Sequence, residues 1–347
     1  MKKMTKMLLF AVLSILVLAL AACSDDSSKE SSDNTKKTET TDAQYPIKIK
    51  HAFGTTTIDK KPERVATIAW ANHDVALALG VVPVGFSAAN YGIKDIKTGI
   101  LPWTQEKLDE LGEKNPNVYQ DTDGLDFEAI ADSQPDVILA AYSGITEEEY
   151  NKLSEIAPVV AYQNQPWVTS WREQVKYDSM GMGMEKEGEQ LIKDTEKTIA
   201  DAAAKHPEIK GKKAAFGMFN TTDLSKFYIY TPADPRGEML TDLGMEYPAK
   251  IKEQVKDDSS FYLELSAENA DILNDTEMLV MYGDDKTLAT LQKDPILGKV
   301  PAIKNGNVVV VEDNTPLAAS GTPSPLSIQY TIDDYVTKIS DVAKNIK

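Results

Sequence analysis

Residues 125–142 read LDFEAIADSQPDVILAAY, and residues 263–282 read LELSAENADILNDTEMLVMY. Each stretch places an acidic residue at a helix start (Glu128 and Glu268), runs through a short helix and ends in an apolar strand closed by a tyrosine, Tyr142 or Tyr282. A helix-then-strand unit that recurs far apart in one chain predicts two related α/β halves.

The flanking sequence extends this pattern. VATIA at 65–69 reads as a buried strand; Asn72 then caps a helix ending at Gly80, and VVPVG at 81–85 is the next strand. Beyond Tyr142 a helix over 147–156 leads to a strand over 159–162. Such alternation argues for a parallel sheet. From Trp171 to about Lys205 no strand signal appears: Met184, Leu191, Ile192, Thr195, Ile199, Ala202 and Ala203 recur at helical spacing. Gly181 and Gly183 disfavour a helix interior and place its start or a kink there; Pro207 stops it. Alternation resumes with strands at 213–219, 227–230, 277–282 and 308–311, a helix over 237–243 and a C-terminal helix over 328–346. The expected fold class is α/β: two Rossmann-like lobes with parallel-type central sheets, joined by one long α-helix. The expected boundaries are 46–168 for the N-lobe, 169–207 for the linking helix and 208–347 for the C-lobe.

The start of the chain carries a different message. Lys2, Lys3 and Lys6 precede an apolar run that closes on Leu20-Ala21-Ala22-Cys23, which resembles the lipobox of bacterial lipoproteins. The run of about 15 apolar residues is shorter than the roughly 20 that a spanning helix needs. Residues 1–22 are therefore read as a signal peptide and Cys23, the single cysteine, as the lipidation site. Residues 23–45 form the lipidated cysteine and a polar tether, whose random-coil span is on the order of 25 Å. The expected location is the outer face of the cytoplasmic membrane.

Composition narrows the function. The formal charge is −17, and removing the three signal lysines leaves −20, which argues against nucleic acid as a partner. Mature histidines are only His51, His73 and His206, with no ligand-like spacing, so no bound metal or other cofactor is expected. There is no G-x-S-x-G elbow, no P-loop and no G-x-G-x-x-G after a strand, and no catalytic residue is assigned. The expectation is a binding protein, not an enzyme, acting as a monomer.

Three stretches carry a family resemblance: ERVATIAWANHDVALALGVVPVG at 63–85, LDFEAIADSQPDVIL at 125–139 and DPILGKVPAIKNGNVVVVED at 294–313. Over roughly residues 50–345 the chain resembles the single-helix-hinged solute-binding proteins for siderophores, haem and cobalamin. It looks most like the receptors for ferrichrome-, ferrioxamine- and ferric-citrate-type chelates. The resemblance implies a lipid-anchored extracytoplasmic protein that captures a ferric siderophore in a shallow inter-lobe cleft. It hands the chelate to an ABC import permease, with only a small closing motion. Haem or cobalamin is the alternative ligand. In the family one acidic residue on each lobe docks onto arginines of the permease, and Glu128 and Glu268 stand at those positions.

Ligands in open α/β sheets sit beyond the carboxyl ends of the strands. That rule nominates Trp70, Tyr91, Trp103 and Tyr142 from the N-lobe and Tyr230 and Tyr282 from the C-lobe, with core or rim packing as the competing account of each aromatic. The chain has only three arginines, Arg64, Arg172 and Arg236. Arg172 follows Trp171 at the entry to the linking helix, and Arg236 sits in the turn DPRG where a cation opposes the helix dipole. Trp171, Arg172 and Arg236 complete the expected site, because planar guanidinium donors suit chelate oxygens; a lobe-to-lobe salt bridge is the other account of the arginines. Two arginines are few for a polyanionic catecholate, which favours hydroxamate or citrate chelates, although Lys94, Lys97 and Lys176 are further candidate cations.

Overall fold

The computed structural model describes residues 45–93, 98–121, 123–256 and 260–346. The signal segment, Cys23 and residues 24–44 of the tether lie outside them. Among the described residues no helix is long and apolar enough to cross a membrane.

A short hairpin, β1 (Ile47–His51) and β2 (Gly54–Ile58), precedes the N-lobe and ties to it through Thr56, whose hydroxyl donates to the Val159 carbonyl at 2.6 Å. The N-lobe sheet contains β3 (Val65–Thr67), β4 (Gly85–Ser87), β5 (Val118–Tyr119), β6 (Val137–Ala140) and β7 (Val159–Ala161). Their order is β5-β4-β3-β6-β7 and every pairing is parallel. Strands β3, β4, β6 and β7 are buried at every position, as a sheet covered on both faces requires. The order reverses around β3, so a crevice opens beyond the ends of β3 and β6.

The C-lobe sheet holds β8 (Ala214–Phe219), β9 (Lys226–Tyr230), β10 (Tyr262–Ser266), β11 (Met278–Gly283) and β12 (Val308–Glu312), ordered β10-β9-β8-β11-β12. Here β8, β11 and β12 run parallel, while β9 pairs antiparallel with both β8 and β10. Residues 220–225 between β8 and β9 are too few for a crossover, which needs about a dozen or more residues, so the chain must turn back on itself.

The link between lobes is helical over Trp171–Gly181 and again over Glu185–Ala204. The interruption falls at the glycine pair, where Gly183 adopts a left-handed φ of 67°. Ser170 starts the first of these helices with a capping box to Glu173. The C-terminal helix Pro325–Ala343 lies along Glu185–Ala204 and also packs against the N-lobe helix Asn72–Ala78. One apolar cluster therefore runs from Val65 and Leu139 through Trp171 and Ile199 to Phe216, Val280 and Val336. A core shared across both lobes resists their separation, because opening would expose that apolar surface.

Asn72 does not cap its helix. Ala71 precedes the helix in the left-handed region, and the Asn72 amide donates to the carbonyls of Ile68 (2.7 Å) and Tyr142 (3.0 Å). Its carbonyl oxygen accepts from Tyr142 N and from Gln174. Asn72 thus stitches the ends of β3 and β6 to the first linking helix, directly beneath the crevice.

Candidate functional site

A cavity of about 560 Å³ lies where the two lobes meet. Trp70, Tyr142 and Trp167 wall it from the N-lobe, and Tyr230, Arg236 and Phe261 from the C-lobe. Each aromatic arrives there from a strand end or a loop. Trp70 follows β3, Tyr142 follows β6, and Tyr230 is the last residue of β9. Trp167 reaches the wall with φ of 63°, an uncommon backbone for a bulky side chain, and stands edge-on to Tyr142 with ring centroids 5.4 Å apart. Gly144 makes room for it: a β-carbon there would lie 2.4 Å from the indole.

Arg236 is the one cation among the described residues that line the cavity. It enters the helix Pro235–Asp242, whose N-cap Asp234 accepts from Arg236 N at 2.8 Å. The same carboxylate, only 1% exposed, accepts from Nη1 at 3.2 Å (Oδ1) and 3.1 Å (Oδ2). This counter-ion removes the conflict between a cation and the helix dipole. Nε donates to the Tyr282 hydroxyl at 3.0 Å, and the guanidinium lies 4.4 Å from the Tyr230 ring centre. Nη2 has no hydrogen-bond partner among the described residues, so it can donate to a ligand oxygen. Burial pushes the Asp234 carboxyl up, with Arg236 opposing the rise. Burial also pushes the Tyr142 phenol up, next to Asp234. A phenol held in that direction stays neutral and serves as a hydrogen-bonding wall.

Of the residues nominated from sequence, Trp70, Tyr142, Tyr230 and Arg236 line the cavity. Tyr282 stands behind Arg236 and orients it. Four others sit elsewhere. Trp103 is buried, donating its indole N–H to Asp74 at 2.8 Å. Trp171 is 1% exposed and donates to Asp242. Arg172 spends its donors on Glu196 (2.7 Å), Glu238 (3.0 Å) and Asp242 (2.8 Å). Both residues open the first linking helix with side chains turned toward the helix Pro235–Asp242, away from the cavity. Tyr91 bridges the lobes beside the cavity: its hydroxyl donates to Asp313 and accepts from Asn314 N at 3.2 Å, and its ring meets Tyr282 edge-on. Lys94 and Lys97 lie outside the described residues, and Lys176 rests over the Tyr177 ring.

Sequence reasoning groups Trp167 with the other three tryptophans in loops or past strand ends of the N-lobe half, but it does not single out Asp234, Asp121, Glu149 or Phe261. The one local signal was the Asp-Pro pair before Arg236, which marks a helix start. Among the described residues no cluster of three or more metal-ligating side chains occurs. Glu128 and Glu268 are exposed in the first turns of their helices. Capping there is done by Asp126, which accepts from Ala129 N at 3.0 Å, and by Ser266, which accepts from Glu268 N. The two glutamate carboxylates are thus not engaged as caps.

Known proteins share this architecture. A crystal structure of PiaA from Streptococcus pneumoniae TIGR4 in complex with ferrichrome is 59% identical in sequence, with a TM-score of 0.84, covering 87% of this chain and 100% of that one. The probable siderophore-binding lipoprotein YfiY of Bacillus subtilis (strain 168) is 27% identical over 97% of this chain and 98% of its own length. The iron(3+)-hydroxamate-binding protein YxeB of the same organism is 26% identical over 89% of each chain. The profile of the periplasmic binding protein family matches residues 65–315, most of the two-lobed unit. The chain belongs to the periplasmic binding protein family.

Proposed function

We propose that the chain captures a ferric siderophore of the hydroxamate type in the inter-lobe cavity and delivers it to an ABC import permease. The observation that carries this is the cavity wall itself: aromatic faces from both lobes around one guanidinium with an unused N–H pair. Such a wall suits a bulky, oxygen-rich complex whose iron is already coordinated, since aromatic faces pack its carbon skeleton and Arg236 donates to its oxygens. The likeness to a ferrichrome-bound protein at 59% identity supports the hydroxamate class over haem or cobalamin. Cys23 is the proposed lipid anchor, holding the mature monomer on the outer face of the cytoplasmic membrane. Glu128 and Glu268 are the proposed contacts to the permease. The shared core and the Tyr91 bridge support a small closing motion.

Fluorescence titration tests the ligand. Trp70 and Trp167 line the cavity, so a ferric trihydroxamate should quench a large share of the intrinsic emission. Metal-free chelator should quench much less. Quenching by haemin with a shifted Soret band, and none by ferric trihydroxamates, would overturn the proposal.

A further inference from the structure

The charge of the cavity wall bears on which chelates enter. Among the described lining residues the one cation is Arg236, against three carboxylates: Asp121, Glu149 and Asp234. Asp234 already neutralises Arg236 at 3.1 Å, so the guanidinium offers hydrogen-bond donors without net charge. That leaves Asp121 and Glu149 on the N-lobe wall. Asp121 accepts from the Ser87 hydroxyl. Burial pushes its carboxyl up, Ser87 opposes this, and Asp126 adds to the rise. Glu149 accepts from Thr146 N (2.7 Å) and Oγ1 (3.0 Å) through Oε2 alone. Its Oε1 has no hydrogen-bond partner among the described residues.

A ferric trihydroxamate core is itself neutral, because three singly charged hydroxamates balance the iron. The periphery of the chelate therefore sets its net charge. An ammonium placed in this cavity meets two carboxylates that make no salt bridge among the described residues; Lys152, which acts on Glu149, bonds instead to Glu148 at 2.8 Å. A free carboxylate placed there loses its hydration and gains no unpaired cation among the described lining residues in exchange. We infer that the cleft sorts ferric trihydroxamates by peripheral charge, accepting neutral and ammonium-bearing chelates and disfavouring carboxylate-bearing ones, with Asp121 and Glu149 as the sorting residues. The inference rests on the hydroxamate reading above.

The test uses one linear ferric trihydroxamate with a terminal amine in three forms: free amine, acetylated and succinylated. These are cationic, neutral and anionic with the same metal centre. At an effective dielectric near 20, a carboxylate about 10 Å from a unit charge changes affinity by roughly tenfold. The native protein should bind the cationic form at least as tightly as the neutral one, and the anionic form roughly tenfold or more weakly. Added salt should narrow the series. In Asp121→Asn/Glu149→Gln the cationic-to-anionic affinity ratio should shrink by about tenfold or more. That ratio, taken within one protein sample, does not depend on how much of the sample is folded. Equal affinities across the series, or an unchanged ratio in the double variant, would overturn the inference while leaving the hydroxamate reading in place. No binding of any of the three forms would overturn both.

Discussion

Replacing Arg236 with methionine should expose how the site is held together. Asp234 is 1% exposed, and its two oxygens lie 3.2 and 3.1 Å from Nη1. Removing one member of a buried ion pair costs about 3–5 kcal/mol, because the remaining charge is left in a poor solvent. The Arg236 side chain is itself 19% exposed, and water reaching it weakens the pair, so the lower end of about 3 kcal/mol applies above pH 7. The penalty depends on pH. Burial already raises the Asp234 carboxyl against the pull of Arg236, and without that pull it rises further. A folded-state value above the unfolded value of about 3.9 means that the folded chain binds more protons in the interval between them. Stability of the variant is therefore recovered as pH falls through the folded value and lost as pH rises, at up to about 1.4 kcal/mol per pH unit. Urea unfolding at pH 5 and pH 8 measures this for the native chain, Arg236→Met and Arg236→Met/Asp234→Asn. Asparagine keeps the N-cap while removing the charge. The single variant should lose much stability at pH 8 and little at pH 5, and the second substitution should rescue it at pH 8. Equal losses at both pH values, or no rescue, would refute this account.

Two further outcomes are expected. Charge reversal at both proposed docking positions, Glu128→Lys/Glu268→Lys, should abolish uptake of the ferric chelate by cells while leaving the affinity of the purified protein unchanged; normal uptake would remove the docking assignment. At the linking helix, burial pushes the Glu238 carboxyl up to about 7, with Asp242 adding and Arg172 opposing. Its contribution to stability is full below the unfolded value of about 4.3 and is lost as pH rises through about 7, so Glu238→Gln should flatten the fall in Tm across that window. A Tm–pH slope identical to that of the native protein would count against this.

The linking helix shows where local sequence information ends. The spacing of Leu191, Ile192, Thr195 and Ile199 identifies a helix, and Gly181 and Gly183 locate its interruption, because both are properties of neighbouring residues on one backbone. Why Trp171 and Arg172 turn away from the cavity is not local. Their partners Glu196, Glu238 and Asp242 come from two other helices, and only the packed fold brings those carboxylates to within 2.7–3.0 Å of one guanidinium. The same holds for the tryptophans. Trp70 and Trp103 both looked like cleft residues, yet Asp74 claims the Trp103 indole, while the Trp70 ring faces the cavity.

The sequence by itself determined the α/β class, the two lobes, the helical link and the strand ends at which the inter-lobe cavity lies. Hydrophobic periodicity and helix starts are short-range signals, and strand ends mark the crevice by topology alone. Tertiary structure alone decided the retreat of Trp103, Trp171 and Arg172 and the burial of the Asp234 carboxylate beside Arg236. Those outcomes depend on side-chain direction and on long-range competition for each polar group. Composition counts the charges, but only packing determines which of them remain free to meet a ligand.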